Sequence, residues 1–101
     1  MAITVGKTDS GDTRLSLGER FDFGMVDQFR KCYEDLDEMK SKSLVIDFAN
    51  TRYMDSSALG MLINARSFFS DSKVKIKIIN TNDQIKKIFS ISRFDTKFDI
   101  S

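Results

Sequence analysis

The sequence predicts an α/β fold in which a mostly parallel sheet of about five strands carries its helices mainly on one face. Short apolar runs alternate along the chain with segments of helical periodicity, which is typical of parallel strands joined by right-handed crossovers. The predicted strands alternate apolar and polar residues, whereas a sheet covered on both faces has nearly continuous apolar strands. Two alternating runs at the N-terminus have no helix between them, which predicts an antiparallel hairpin. These observations together indicate a β/α superhelix rather than a doubly wound sheet.

The composition narrows the possible functions before any motif is considered. A chain of 101 residues is long enough for one core, so we expect residues 1–101 to form a single domain. Sixteen basic and fifteen acidic residues leave a net charge of +1, which favours neither a nucleic-acid nor a membrane partner. Without a spanning segment or a signal peptide, we expect a cytoplasmic protein. The absence of His and the single Cys32 exclude a His-based triad and a Cys-rich zinc site, so we expect neither metal nor cofactor.

The first third of the chain predicts a hairpin and a helix. Residues 3–7 and 13–17 are the two strands, and the Asp-Ser-Gly-Asp segment at 9–12 is the turn. Asp22 is the predicted N-cap of the first helix. Apolar residues then recur three to four positions apart, at Val26, Phe29, Tyr33, Leu36 and Met39.

The rest of the chain predicts three more strands and two more helices. Residues 44–49 form a strand whose Leu44, Ile46 and Phe48 share one face. A helix at 56–69 follows, with helical spacing at Leu59, Leu62, Ile63, Arg66 and Phe69. Next come a strand at 73–79, a short helix at 84–90 and a last strand within 94–100. Lys73, Lys75 and Lys77 share one strand face, which we interpret as solvated rather than as an anion- or partner-binding surface.

The start of the second helix, Asp55-Ser56-Ser57, carries the most chemically usable side chains. We expect one serine to cap the helix and the other to be spare, although capping alone would explain the pattern. Three features favour a function. The site follows the end of a strand, where open α/β sheets place functional loops. Ala58 and Gly60 are small, so a partner's backbone could approach closely. The spare serine, Ser56, could accept a phosphate.

The stretch LVIDFANTRYMDSSALGMLINAR resembles the signature of STAS domains, in particular of the bacterial anti-sigma factor antagonists. The residues that match the family pattern are Asp47, Asp55, Ser56, Ser57, Leu59 and Gly60. The chain departs from the pattern at Ala58, where the family usually has Gly. It departs again at residues 18–22, which resemble the family's Gly-Glu-Leu-Asp loop with an additional residue before Asp22. The resemblance covers almost the whole chain and implies the STAS-type β/α superhelix.

The resemblance also implies a partner switch without enzymatic activity of its own. In this family the unmodified domain binds a serine kinase of the histidine-kinase-like ATPase type, often an anti-sigma factor. That kinase phosphorylates the first serine after the Asp, here Ser56, and the phosphorylated domain lets go until a metal-dependent serine phosphatase resets it. ATP and magnesium would belong to the partner. Asp55 is then the electrostatic neighbour of Ser56, and Ser57 is a cap or a local hydrogen-bond partner. The docking surface would consist of the Asp22 loop and the exposed start of the second helix.

Two other functions remain open at this point. STAS domains also occur in anion transporters and lipid-transport complexes, so the chain could be an accessory subunit of such an assembly. The lack of a membrane segment leads us not to expect a transporter tail. An enzyme using Ser56 or Ser57 as nucleophile would need a base, and without His the candidates are a lysine or a carboxylate. Lys86 and Lys87 have no evident spatial relation to the site, so we do not expect this function. We expect the free protein to be a monomer, with either a sigma factor or another programme such as biofilm formation as the output.

Overall fold

The computed structural model describes residues 3–34, 43–70, 74–94 and 98–100, which form seven strands and three α-helices. The strands are β1 (Ile3–Lys7), β2 (Thr13–Leu17), β3 (Arg20–Phe21), β4 (Ser43–Asp47), β5 (Tyr53–Met54), β6 (Lys75–Ile79) and β7 (Asp99–Ile100). The helices are α1 (Val26–Glu34), α2 (Ser56–Phe68) and α3 (Asp83–Ile91), and a 3-10 turn at Phe23–Met25 leads into α1. None of the helices within these ranges is long and apolar enough to cross a membrane.

The main sheet has five strands in the order β1-β2-β4-β6-β7. Strands β1 and β2 are antiparallel, and every other neighbouring pair in this sheet is parallel. Gly11 lies in the β1–β2 turn with φ of +88°, a left-handed conformation that glycine adopts without steric cost. The predicted N-terminal hairpin and mostly parallel sheet are therefore confirmed.

One face of this sheet is apolar and covered, as the alternating strands predicted. Leu15, Ile46 and Ile78 are each fully buried and lie side by side in the strand register. Residues from all three helices belong to the same core cluster, including Phe29, Leu62 and Ile85. The opposite face carries the polar members of the strands, such as Arg14, Ser16, Lys75 and Lys77. The helices thus share one core on one side of the sheet, while Lys73 of the predicted lysine face lies outside the described residues.

The buried side of α2 differs from the predicted stripe. Leu62 and Phe69 are buried as expected, but Ile63 is 40% exposed and Arg66 is exposed. The residues that α2 itself buries are Ala58, Met61, Leu62 and Ala65. The prediction was wrong because it weighted the large side chains, whereas two of the four residues that α2 buries are alanines. The exposed Ile63 is left on the outer side of the helix.

The entry into α1 matches the prediction in its cap and differs in its first turn. Asp22 has extended backbone angles, and its Oδ1 accepts a hydrogen bond from the Gly24 amide at 3.1 Å. That cap begins the 3-10 turn rather than the α-helix itself. A Cβ at Gly24 would lie 3.3 Å from Asp22 Oδ1, so the glycine leaves room for the capping carboxylate. Leu36 and Met39 of the predicted apolar stripe lie outside the described residues.

A series of aromatic side chains runs through the core. Phe21 makes edge contacts with Phe29 and Phe48, with ring centroids 5.0 and 5.9 Å apart. The series continues on one side through Phe29 to Tyr33 and on the other through Phe48 to Phe89. Burial raises the pKa of the Tyr33 phenol, with Glu34 adding to the shift and Arg30 opposing it. The series joins α1, the sheet and α3, and Phe21 stands near its middle.

Candidate functional site

A second, two-stranded sheet lies next to the helix starts and was not predicted. Strands β3 and β5 pair in parallel, with Arg20 opposite Tyr53 and Phe21 opposite Met54. The next residue along each strand is a predicted site residue, Asp22 after β3 and Asp55 after β5. The register therefore places these two aspartates side by side, each at the start of a helical segment.

The loops beneath this small sheet are tied together by hydrogen bonds. The Glu19 carbonyl accepts from the amides of Arg52 and Tyr53, at 2.8 and 3.1 Å. Thr51 is 1% exposed, and its Oγ1 donates to the Gly18 carbonyl at 2.9 Å. Asn82, the N-cap of α3, donates to the Thr51 carbonyl at 3.2 Å. These bonds fix the position of β5, and hence of the residues that follow it.

Asp55, rather than a serine, is the N-cap of α2. Its backbone is extended, and its Oδ1 accepts a hydrogen bond from the Ala58 amide at 3.2 Å. Ser56 and Ser57 are the first two residues inside the helix. The expectation that one serine caps the helix was therefore wrong, because Asp and Ser are both good caps and the cap falls on the residue that directly follows β5.

The side chains after Asp55 differ in exposure. Ser56 is exposed, Ser57 is half-buried, and Gly60 is exposed one turn further along α2. Ala58 has no exposed surface and packs in the core. The expectation that Ala58 offers docking surface is therefore wrong, because its methyl faces the core. Ser56 and Gly60 lie on the accessible side, so a partner could approach the helix there.

Three residues that the sequence did not single out surround the two aspartates. Phe23, directly after Asp22, is 69% exposed, and Tyr53 is 44% exposed. The Arg20 guanidinium lies 4.4 Å from the centre of the Tyr53 ring, and Arg20 Nε donates to Asp22 Oδ2 at 3.1 Å. The sequence carried no separate signal for Phe23, because it lies three residues before Val26 and so fits the apolar spacing of α1. Arg20 and Tyr53 could be found only once β3 and β5 were known to pair.

The cap at Asp55 can be tested by substitution. We expect Asp55→Ala to lower the free energy of unfolding by about 1 kcal/mol, because the Ala58 amide loses its side-chain acceptor. Asp55→Asn should cost much less, since asparagine caps helices about as well as aspartate. Urea unfolding followed by circular dichroism measures both. Equal losses in the two variants would contradict the capping role and would point to the charge of Asp55 instead.

The candidate site presents polar and aromatic side chains at the surface. The described ranges contain no group of three or more His, Cys, Asp or Glu side chains placed to bind a metal ion. The sequence has no His to activate a serine nucleophile. What the site does offer is an exposed hydroxyl at Ser56, a neighbouring carboxylate that is occupied in capping, and two exposed aromatic rings.

Comparison with known proteins agrees with the resemblance found in the motif. The family model of the STAS domain matches residues 5–101. A STAS-domain containing protein of Pseudomonas aeruginosa (strain UCBPP-PA14) is 36% identical over 102 residues, which cover 100% of both chains.

Solved structures of similar fold include regulators and a transporter-family protein. An anti-sigma factor antagonist from Mycobacterium paratuberculosis superposes with a TM-score of 0.81 at 14% identity, covering 97% of this chain and 82% of that one. The Bacillus cell fate determinant SpoIIAA in its phosphorylated form gives 0.73 at 16% identity, covering 99% and 91%. A sulfate transporter family protein from Wolinella succinogenes gives 0.73 at 11% identity, covering 88% and 71%. At these identities the similarity shows the fold alone.

Proposed function

Starting from the fact that this chain belongs to the STAS-domain family, we propose that it is a partner-switching regulator controlled by phosphorylation of Ser56. In its unmodified form it binds a serine kinase of the histidine-kinase-like ATPase type, and in its phosphorylated form it releases that kinase. A metal-dependent serine phosphatase restores the unmodified form. The chain acts in the cytoplasm, is a monomer when free, and uses no cofactor or catalytic residue of its own.

The observation that carries the proposal is the exposed Ser56 next to a cap that is already complete. Asp55 accepts the hydrogen bond that a helix-start serine would otherwise accept, so the Ser56 side chain is not needed for the cap. The Ser56 hydroxyl can therefore be modified without breaking that bond. Phosphorylation joins Ser56 Oγ to the γ-phosphorus of ATP held by the kinase. The bond to the ADP oxygen breaks, and the hydroxyl proton passes to a base of the kinase.

The charges around Ser56 favour an effect on binding over an effect on folding. A phosphate adds about −1.5 to −2 charges at pH 7. The partial positive charge at the start of a helix favours a nearby anion by roughly 0.3–1 kcal/mol, while the adjacent Asp55 opposes it. These two contributions largely offset each other within the fold. A partner that covers Ser56 would instead have to desolvate the phosphate and meet its charge, which is costly.

The proposed docking surface combines predicted and newly found residues. Asp22, Asp55 and Gly60 lie around Ser56, and Ser57 supports the start of the helix from its half-buried position. Phe23 adds an exposed aromatic ring of the kind that dominates binding energy in protein interfaces. Ala58 contributes by packing the helix start onto the core rather than by touching a partner.

The proposal is tested by incubating the protein with ATP, magnesium and the ATPase-type serine kinase encoded nearest to it. We expect intact-mass analysis to show one added phosphoryl group, and fragment analysis to place it on Ser56. Ser56→Ala should not be modified, whereas Ser57→Ala is the matched control and should be modified as the parent protein is. A phosphate on another residue, or none, contradicts the assignment.

A second candidate function is a non-switching accessory subunit of a transport or lipid-trafficking complex. The shared fold of the sulfate transporter family protein favours keeping it. In that case a membrane-protein assembly, rather than a soluble kinase, would be recovered with the tagged protein, and Ser56→Ala and Ser56→Asp would recover it equally well. One affinity purification with the parent protein, Ser56→Ala and Ser56→Asp therefore distinguishes the two functions.

A further inference from the structure

The outer face of the small sheet gathers charged side chains next to Ser56. Side chains alternate along a strand, so Arg20 and Asp22 point to the same side, and Tyr53 and Asp55 point there from the neighbouring strand. The intervening Phe21 and Met54 are buried. Arg20 is the basic residue on this side of the two paired strands, and it belongs to residues 18–22, where the chain departs from the family pattern.

Arg20 is held in place by weak and exposed contacts. Its Nε makes a single hydrogen bond to Asp22 Oδ2 at 3.1 Å, and its side chain is 64% exposed. The Arg20 guanidinium lies over the Tyr53 ring, with its central carbon 4.4 Å from the ring centre. A guanidinium has five N–H donors, and the bond to Asp22 uses one of them. The arrangement therefore presents further donors to an anion while it holds the arginine at the site.

The contact with Asp22 also shows in which direction the Arg20 side chain extends. Asp22 lies two residues further along the chain, directly after β3, so the guanidinium points toward the end of the strands where the helices begin. From the usual strand rise and spacing, the Cα atoms of Arg20 and Asp55 are about 8 Å apart. Ser56 follows directly. The Cα of Ser56 therefore lies at most about 12 Å from that of Arg20, a separation that an extended arginine and a phosphoserine can together span.

A phosphate competes strongly with a carboxylate for an arginine. It carries nearly twice the charge, and its oxygens match the two parallel N–H bonds that a guanidinium offers. We propose that Arg20 leaves Asp22 and binds the phosphate of phosphorylated Ser56. This inference rests on the proposed function. The move would uncover the Tyr53 ring and leave Asp22 Oδ2 without the Arg20 guanidinium, so phosphorylation would change the shape of the docking surface as well as its charge.

The contact can be tested without a kinase by incorporating phosphoserine at position 56 during translation. We expect a ³¹P NMR titration to give a phosphate pKa that is lower in the parent protein than in Arg20→Gln, by roughly 0.2–0.6 pH units. Arg20→Lys should keep part of the shift. The Arg20 Nε–H signal in ¹H–¹⁵N spectra should move on phosphorylation, because its acceptor changes from a carboxylate to a phosphate.

Arg52→Gln is the matched control, because it removes the same charge from an exposed residue next to β5. If Arg20→Gln and Arg52→Gln change the phosphate pKa equally, the effect is one of general charge and the contact is absent. An Arg20 Nε–H signal that does not move on phosphorylation would also overturn the proposed contact. These results are independent of the kinase assay, so a kinase that fails to modify Ser56 contradicts the proposed function, whereas a missing shift contradicts the role of Arg20 alone.

Discussion

Ser56→Asp is expected to weaken binding of the kinase partner by roughly 10- to 100-fold, whereas Ser56→Ala should bind as the unmodified protein does. The aspartate places a negative charge beside Asp55 and the capped helix start, where the proposed interface would have to desolvate it. Like charges brought together in an interface cost enough to produce a loss of this size. Isothermal titration calorimetry with the purified kinase measures both affinities.

A weaker affinity of Ser56→Asp is informative only if this variant keeps the parent fold. An acidic residue in the first turn of a helix is favoured by the helix dipole, so Ser56→Asp should unfold at nearly the parent temperature. Ser67→Asp is the matched control, since Ser67 is exposed on the same helix three turns away from the proposed interface. It should bind the kinase normally. Normal binding by Ser56→Asp would refute release by repulsion, even if the kinase does modify Ser56.

The main sheet could be predicted because its strands repeat a pattern that burial imposes. Leu15 and Leu17 alternate with polar residues, and so do Ile76 and Ile78, since one side of each strand faces the core. A strand of two residues has no such repeat, and β3 and β5 are of that length. Their pairing depends on long-range contacts between residues 20–21 and 53–54, which the local sequence does not record.

The sequence singled out residues of the candidate site, but it did not predict how they are arranged. The role of Ser56 stays a prediction from the motif, and the structure places Asp22 next to Asp55. Which residue caps α2 could not be decided from local sequence, because the chemistry of Asp55 suits the cap as well as that of Ser56. The exposure of Ala58 was misjudged because small size permits either a close partner or close packing onto the core. In this fold Ala58 packs into the core.

The second large effect is expected in the core beneath the site. Phe21→Ala should lower the free energy of unfolding by about 3–5 kcal/mol, the usual cost of removing a fully buried aromatic ring. Phe21 has no exposed surface and contacts Phe29 of α1 and Phe48 beyond β4. For a domain of this size the midpoint of thermal unfolding should fall by more than about 12 °C, which differential scanning calorimetry measures.

Phe23→Ala is the matched control, because the same substitution two residues later removes a ring that is 69% exposed. Its stability should stay within about 0.5 kcal/mol of the parent protein, while its affinity for the kinase should fall, since Phe23 lies on the proposed docking surface. Comparing the two variants therefore distinguishes an effect on folding, expected for Phe21→Ala, from an effect on binding, expected for Phe23→Ala. A Phe23→Ala protein that is as unstable as Phe21→Ala would show that the exposed ring belongs to the fold. A Phe21→Ala protein that loses less than about 1 kcal/mol would show that β3 does not depend on this core contact for its position.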